Sequence, residues 1–246
     1  MPDATALTAI AAVFLLAGFV KGVVGFGLPT IALALLAVAF GVPQAMALML
    51  APAFVSNIWQ ALAGGGAPQV LRRIWPFLLA AGLFIFVGAL ALTRVELRWL
   101  SALLGVVLIV YALVSLAGLH LSLTARQARW AGPLIGAVNG VLTGMTGSYV
   151  VPGVLFLQGI GLPRDQLIQA MGMLFLTSTV ALGLALGGND LLSGDLGLLS
   201  AAALAPALVG LALGQSLRRR LAEPLFRKIF FAALLLLGAY IIARAL

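Results

Sequence analysis

Long apolar runs at 43–63, 74–93, 99–119, 166–186, 197–216 and 228–246, separated by short polar stretches, leave this chain few ways to fold. Each run can cross a hydrocarbon core of roughly 30 Å as a helix. In lipid the helix is favoured because it satisfies its own backbone N–H and C=O groups. The composition agrees: 63% of residues are hydrophobic, 8% are charged, and the mean hydropathy is +1.21. Soluble domains carry about 25% charged residues. The chain reads as an all-α polytopic membrane protein with no stretch left for a sizeable soluble domain. Its first apolar segment lacks a basic leader and the hydrophobic run continues past it, so it reads as part of the bundle and not as a cleavable signal.

The net charge of +8 does not imply nucleic acid, and no nucleic-acid partner is expected. Basic residues gather in "LRR" (71–73), "ARQAR" (125–129) and "LRRRLAEPLFRK" (217–228), which read as short loops between spans. That is the positive-inside topology signal. The absence of cysteine excludes disulfides, thiolate metal sites and cysteine nucleophiles, and no cofactor is expected.

The chain reads as a duplication. "AGFVKGVVGFGLPTIALALLAVAFGVPQA" (17–45) is matched by "IGAVNGVLTGMTGSYVVPGVLFLQGIGLPRD" (135–165). This alignment sets Gly18 and Gly22 on Gly136 and Gly140, and Lys21 on Asn139. Near the ends of the halves, Arg98 and Tyr111 match Arg227 and Tyr240. Residues 1–120 and 121–246 then form two repeats, each a broken first segment (about 5–40 and 131–160) followed by three spans.

The broken segment either crosses once as a kinked helix or returns as a hairpin, and charge separates the two. The hairpin gathers Arg72, Arg73, Arg126, Arg129, Arg164, Arg218, Arg219, Arg220, Arg227 and Lys228 on one face, with only Arg94, Arg98 and Arg244 on the other. The single crossing splits the charges more evenly, so the hairpin is preferred, with both termini outside the cytoplasm. A hairpin plus three spans is an odd number of crossings, which makes the halves inverted-topology repeats. Secondary transporters of that build bind substrate near the midplane, where interrupted helices meet.

A helix break offers backbone N–H groups and partial positive charge at the start of its second half. Glycine lets an anion approach that backbone. Around the first break the candidate substrate-binding residues are Lys21, Gly22, Gly25, Phe26 and Gly27. Around the second they are Asn139, Thr143, Gly144, Thr146, Gly147, Ser148 and Tyr149, rich in hydroxyl donors. Asn57 and Gln60, and Thr177 at the depth equivalent to Asn57, are added from the neighbouring spans. Two such breaks meeting on a pseudo-two-fold axis would make a small electropositive cavity. Alternative readings stay open: glycines for close helix packing, Lys21 snorkelling to an interface, and interhelical hydrogen bonds for the polar residues.

The acids Asp3, Glu96, Asp165, Asp190, Asp195 and Glu223 read as loop or terminal residues, and His120 ends a span. No intramembrane proton relay is visible. A hydrolytic or metal mechanism would need converging His, Asp or Cys residues, so an enzyme is not expected.

At the glycine-rich segment, at "GVPQA…AFVSNIWQAL" and at "GAVNGVLTGMTGSYVVPGVLFLQGIGLPRDQLIQAMG", the sequence resembles the sulfite exporter family TauE/SafE along essentially its whole length. The resemblance implies a bacterial inner-membrane carrier of sulfite or organosulfonates, commonly an exporter. The expected partners are a small anionic substrate and the lipid bilayer, with a homodimer as one open oligomeric state. An anion channel and an importer of another oxyanion are the competing readings. A membrane chaperone is disfavoured by the short loops.

Overall fold

A computed structural model describes residues 3–63, 65–118, 122–218 and 223–246; His120, Arg219 and Arg220 lie outside them. The described residues form ten α-helices and no strand. They are α1 (Ala4–Val24), α2 (Leu28–Phe40), α3 (Val42–Leu62), α4 (Ala67–Ala89), α5 (Leu97–Leu116), α6 (Ala125–Thr146), α7 (Gly153–Gly159), α8 (Arg164–Gly188), α9 (Gly194–Leu217) and α10 (Glu223–Ala245). A 3₁₀ turn, Leu90–Thr93, extends α4. Among the described residues, seven of these helices are long and apolar enough to cross a membrane: α1, α3, α4, α5, α8, α9 and α10. At a rise of 1.5 Å per residue, α2 spans about 20 Å and α7 about 10 Å, too little to cross alone.

Both first segments are broken, but the basic stretches are not all loops. "LRR" (71–73) and "ARQAR" (125–129) lie within the first two turns of α4 and α6. Thr124 starts α6 ahead of the apolar run, through a capping box with Gln127. This two-sided satisfaction of end groups can begin a helix in polar sequence. Two acids expected in loops, Asp165 and Asp195, occupy the first turns of α8 and α9. Asp3 caps α1, its Oδ1 accepting from the Ala6 N–H at 2.8 Å. Negative charge is favoured at helix N-termini by the macrodipole.

The helices fall into two compact units that interleave the halves of the sequence: Met1–Pro52, Leu97–Ala117 and Asp190–Leu246 in one, Ala53–Glu96 and Gly118–Asn189 in the other. In the first unit α1 packs along α9 and α5 along α10, with α2 against α1 and α10. In the second, α4 packs along α6 and also touches α8. The first helix of each half therefore lies on the fourth helix of the other half.

The two pairings share one register. A Cβ on Gly18 or Gly22 would lie 2.1 Å from the Ala207 oxygen or 2.4 Å from the Leu211 oxygen. In the other unit, a Cβ on Gly140 or Gly144 would lie 2.3 Å from the oxygen of Ala81 or Ile85. Backbones this close tolerate only glycine. The contacts match Gly18 with Gly140 and Gly22 with Gly144, which sets Lys21 on Thr143. The sequence alignment of Lys21 with Asn139 is thus one helical turn out. Gly136, Gly140 and Gly144 recur every fourth residue, so sliding by one turn preserves the pattern.

The last helices show the same shift. A Cβ on Gly105 would meet the Gly238 oxygen at 2.7 Å, and one on Gly238 would meet the Gly105 oxygen at 2.8 Å. Ile242 and Ile109 flank the two contacts reciprocally. This register is again one turn from the Tyr111–Tyr240 match. Tyr111 is buried, edge-on to Phe231, whereas Tyr240 is exposed.

Candidate functional site

At the first break, α1 ends on Gly25 at φ +90°, whose N–H donates to the Lys21 carbonyl at 2.8 Å. Gly27 follows at φ +108° as the N-cap of α2, and Pro29 sits in the first turn. Two left-handed residues within three positions turn the chain sharply, which only glycine does without steric cost. A Cβ on Gly25 would meet no atom within 4 Å. Lys21 is only 4% exposed, so it is not snorkelling into water. Gly22 faces the α9 backbone and Phe26 packs edge-on to Phe230 of α10. Of the five residues expected here, these two make close packing contacts.

At the second break, α6 ends on Gly147 at φ +76°, its N–H donating to the Thr143 carbonyl at 2.7 Å. The chain then runs through Ser148, Tyr149 and a cis Val151–Pro152 peptide into α7. Lys21 and Thr143 thus hold equivalent places, each lending its carbonyl to the glycine that ends its helix. Threonine adds a lock: the Thr143 hydroxyl donates to the Ser148 carbonyl at 2.9 Å. Thr146 donates to Leu142 and accepts from the Ser148 N–H. These hydroxyls, expected as anion donors, hold the break in shape.

Asn139 reaches the start of α7. Its Oδ1 accepts from the Gly153 N–H at 2.9 Å, capping α7 from α6. The Val154 N–H donates to Val150. The first amides of α7 are therefore not bare, as a break of this kind was expected to leave them. Gly144 faces the α4 backbone. A buried amide hydrogen left without an acceptor costs about 1–3 kcal/mol, which accounts for the cap.

The remaining polar groups of this unit gather on α3, α8 and the 147–152 loop. Thr179 donates to the Phe175 carbonyl at 2.7 Å, and its oxygen lies 3.4 Å from the Tyr149 hydroxyl and 3.5 Å from Asn57 Nδ2. Thr177, the threonine expected here, instead directs its methyl toward Gly82 of α4. Three threonine or serine residues in a row offered no sequence signal for which one turns inward. Gln60 donates to the Ile168 carbonyl and Gln169 to the Ala61 carbonyl, each at 3.0 Å, across the close approach of α3 and α8 at Gly172. Gln169, Ser178 and Thr179 were absent from the sequence-derived set. Four buried side-chain atoms have no hydrogen-bond partner within the described protein: Ser148 Oγ, Ser178 Oγ, Gln60 Oε1 and Gln169 Oε1. Buried polar atoms normally find partners, so these two hydroxyls and two amide oxygens, all in the second unit, keep unused hydrogen-bonding capacity.

Among the described residues, no cluster of three or more His, Cys, Asp or Glu could hold a metal ion. The sequence model of the family described as "Sulfite exporter TauE/SafE" matches residues 10–241. No curated protein and no solved structure matches the chain.

Proposed function

The chain belongs to the sulfite exporter TauE/SafE family, and on that footing we propose that it is a secondary transporter of a small sulfur-containing anion, exported across the bacterial inner membrane. The family is one of transporters, and the chain is an integral multi-pass membrane protein. Sulfite, or an organosulfonate such as sulfoacetate, is the substrate class. The observation that carries the reading is unused hydrogen-bonding capacity in the second unit: the Ser148 hydroxyl at the break and the Ser178 hydroxyl on α8 are buried and donate to no protein group. A sulfonate or sulfite group presents several acceptor oxygens that such hydroxyls suit. Lys21 is buried at the corresponding place of the first break, in the other unit. In this reading the halves 1–120 and 121–246 are inverted repeats, with both termini periplasmic.

Export needs no coupling ion in this scheme. A monovalent anion leaving a cell with an inside-negative potential gains about 2.3 kcal/mol per 100 mV. The test is flux of sulfite and sulfoacetate into or out of proteoliposomes. Saturable transport that follows an imposed potential, without sodium or a pH gradient, is the expected result. Strict dependence on either gradient overturns the uniport scheme, and high unitary conductance assigns a channel.

A further inference from the structure

A cavity of about 890 Å³ opens between α4 and α6 in the second unit, away from the break. Four arginines line it, Arg72 and Arg73 from α4 and Arg126 and Arg129 from α6, together with Trp75 and Trp130. No carboxylate is among the lining residues. Arg73 donates to the Ile160 carbonyl, which ties one guanidinium into the cavity wall. These four exposed arginines, with no carboxylate in the lining, present a positive field that attracts an anion. Arginine forks suit phosphate oxygens, which they can hold two bonds at a time.

The apolar surroundings narrow the ligand. Trp75 and Leu79 are one turn apart on α4, and Trp130 and Leu134 one turn apart on α6; all four are exposed. Residues four apart share a helix face. Each row thus leads from the basic cavity onto an apolar track, with a tryptophan of the kind that favours the headgroup level of a bilayer at the junction. A dissolved oxyanion would use only the arginines. A molecule with a phosphate at one end and acyl chains at the other uses both. We propose that this cavity is a binding site for an anionic phospholipid of the leaflet on the arginine side, its phosphate on Arg72, Arg126 and Arg129 and its chains along the two rows. Basic pockets between membrane helices suit such headgroups.

The test uses the full chain in phosphatidylcholine nanodiscs, with phosphatidylglycerol introduced as the probe and retention read by native mass spectrometry. Phosphatidylglycerol is expected to be retained at least about tenfold more tightly than phosphatidylcholine, and the Arg126→Gln/Arg129→Gln variant to lose most of that preference. Arg126→Lys/Arg129→Lys keeps the charge and is expected to fall between. Inorganic phosphate and sulfite at millimolar concentration should not displace the lipid. Should the glutamine variant melt early in neutral detergent, Leu134→Ser gives the second reading: it spares the arginines and should also weaken retention. Undiminished preference in the glutamine variant, unweakened retention in Leu134→Ser, or displacement of the lipid by phosphate or sulfite overturns the proposal.

Discussion

Ser200 of α9 donates its hydroxyl to the carbonyl of Leu48 at 2.9 Å and accepts from the Ala51 N–H at 3.0 Å. Leu48 is the carbonyl that Pro52, inside α3, leaves without its helical donor. In lipid such a group must be satisfied by a neighbour. Ser200→Ala is expected to cost about 1–3 kcal/mol, seen as a lower melting temperature in detergent. Repeating the change in a Pro52→Ala background should cost less, because alanine restores the backbone N–H that proline lacks. Equal costs in both backgrounds would refute this role.

The shared glycine register makes its own prediction. Gly22→Ala and Gly144→Ala each place a methyl within 2.4 Å of a facing backbone oxygen, so each should destabilise by about 1–3 kcal/mol. Gly187→Ala, where a Cβ meets no atom within 4 Å, should be neutral or slightly stabilising. Thermal melts of the three purified variants decide the matter; an unaffected Gly22 variant would contradict the register.

Ser148→Ala and Ser178→Ala separate a binding role from a structural one. Neither hydroxyl bonds to protein, so their removal should change stability by less than about 0.5 kcal/mol. Binding of sulfite or sulfoacetate, followed by ligand-induced thermal shift, should weaken by about tenfold if each donates one charge-assisted bond. Unchanged binding in both variants removes these serines from the site.

Lys21→Met tests the first break. Its side chain is buried, and methionine keeps much of its apolar length. Folded protein should survive while anion affinity drops, most for the smallest anions. Affinity equal to the parent protein would assign Lys21 to packing alone.

Helix identity and the position of both breaks were legible in the sequence because each depends on local chemistry, and the family was legible through the resemblance of its motifs. Twenty-residue apolar runs make spanning helices, and glycine and proline at 25–29 and 147–152 interrupt them. The site was legible only in outline. Asn139, Thr143 and Thr146 lie at the second break, and the shortest bond of each is to backbone. Thr179, and not Thr177, is the one that meets Tyr149 and Asn57, since helix residues turn about 100° per position and the two threonines are chemically alike.

The order of helices and the need for two interruptions were thus set by residues acting on their own neighbours. Which turn of α1 answers which turn of α6 was decided only by packing. A glycine every fourth residue looks the same after sliding by about one turn, and only the facing carbonyls of α9 and α4 select a single register. The same holds for the polar residues: sequence shows which can hydrogen-bond, but the crossing of α3, α6 and α8 determines which protons are already taken.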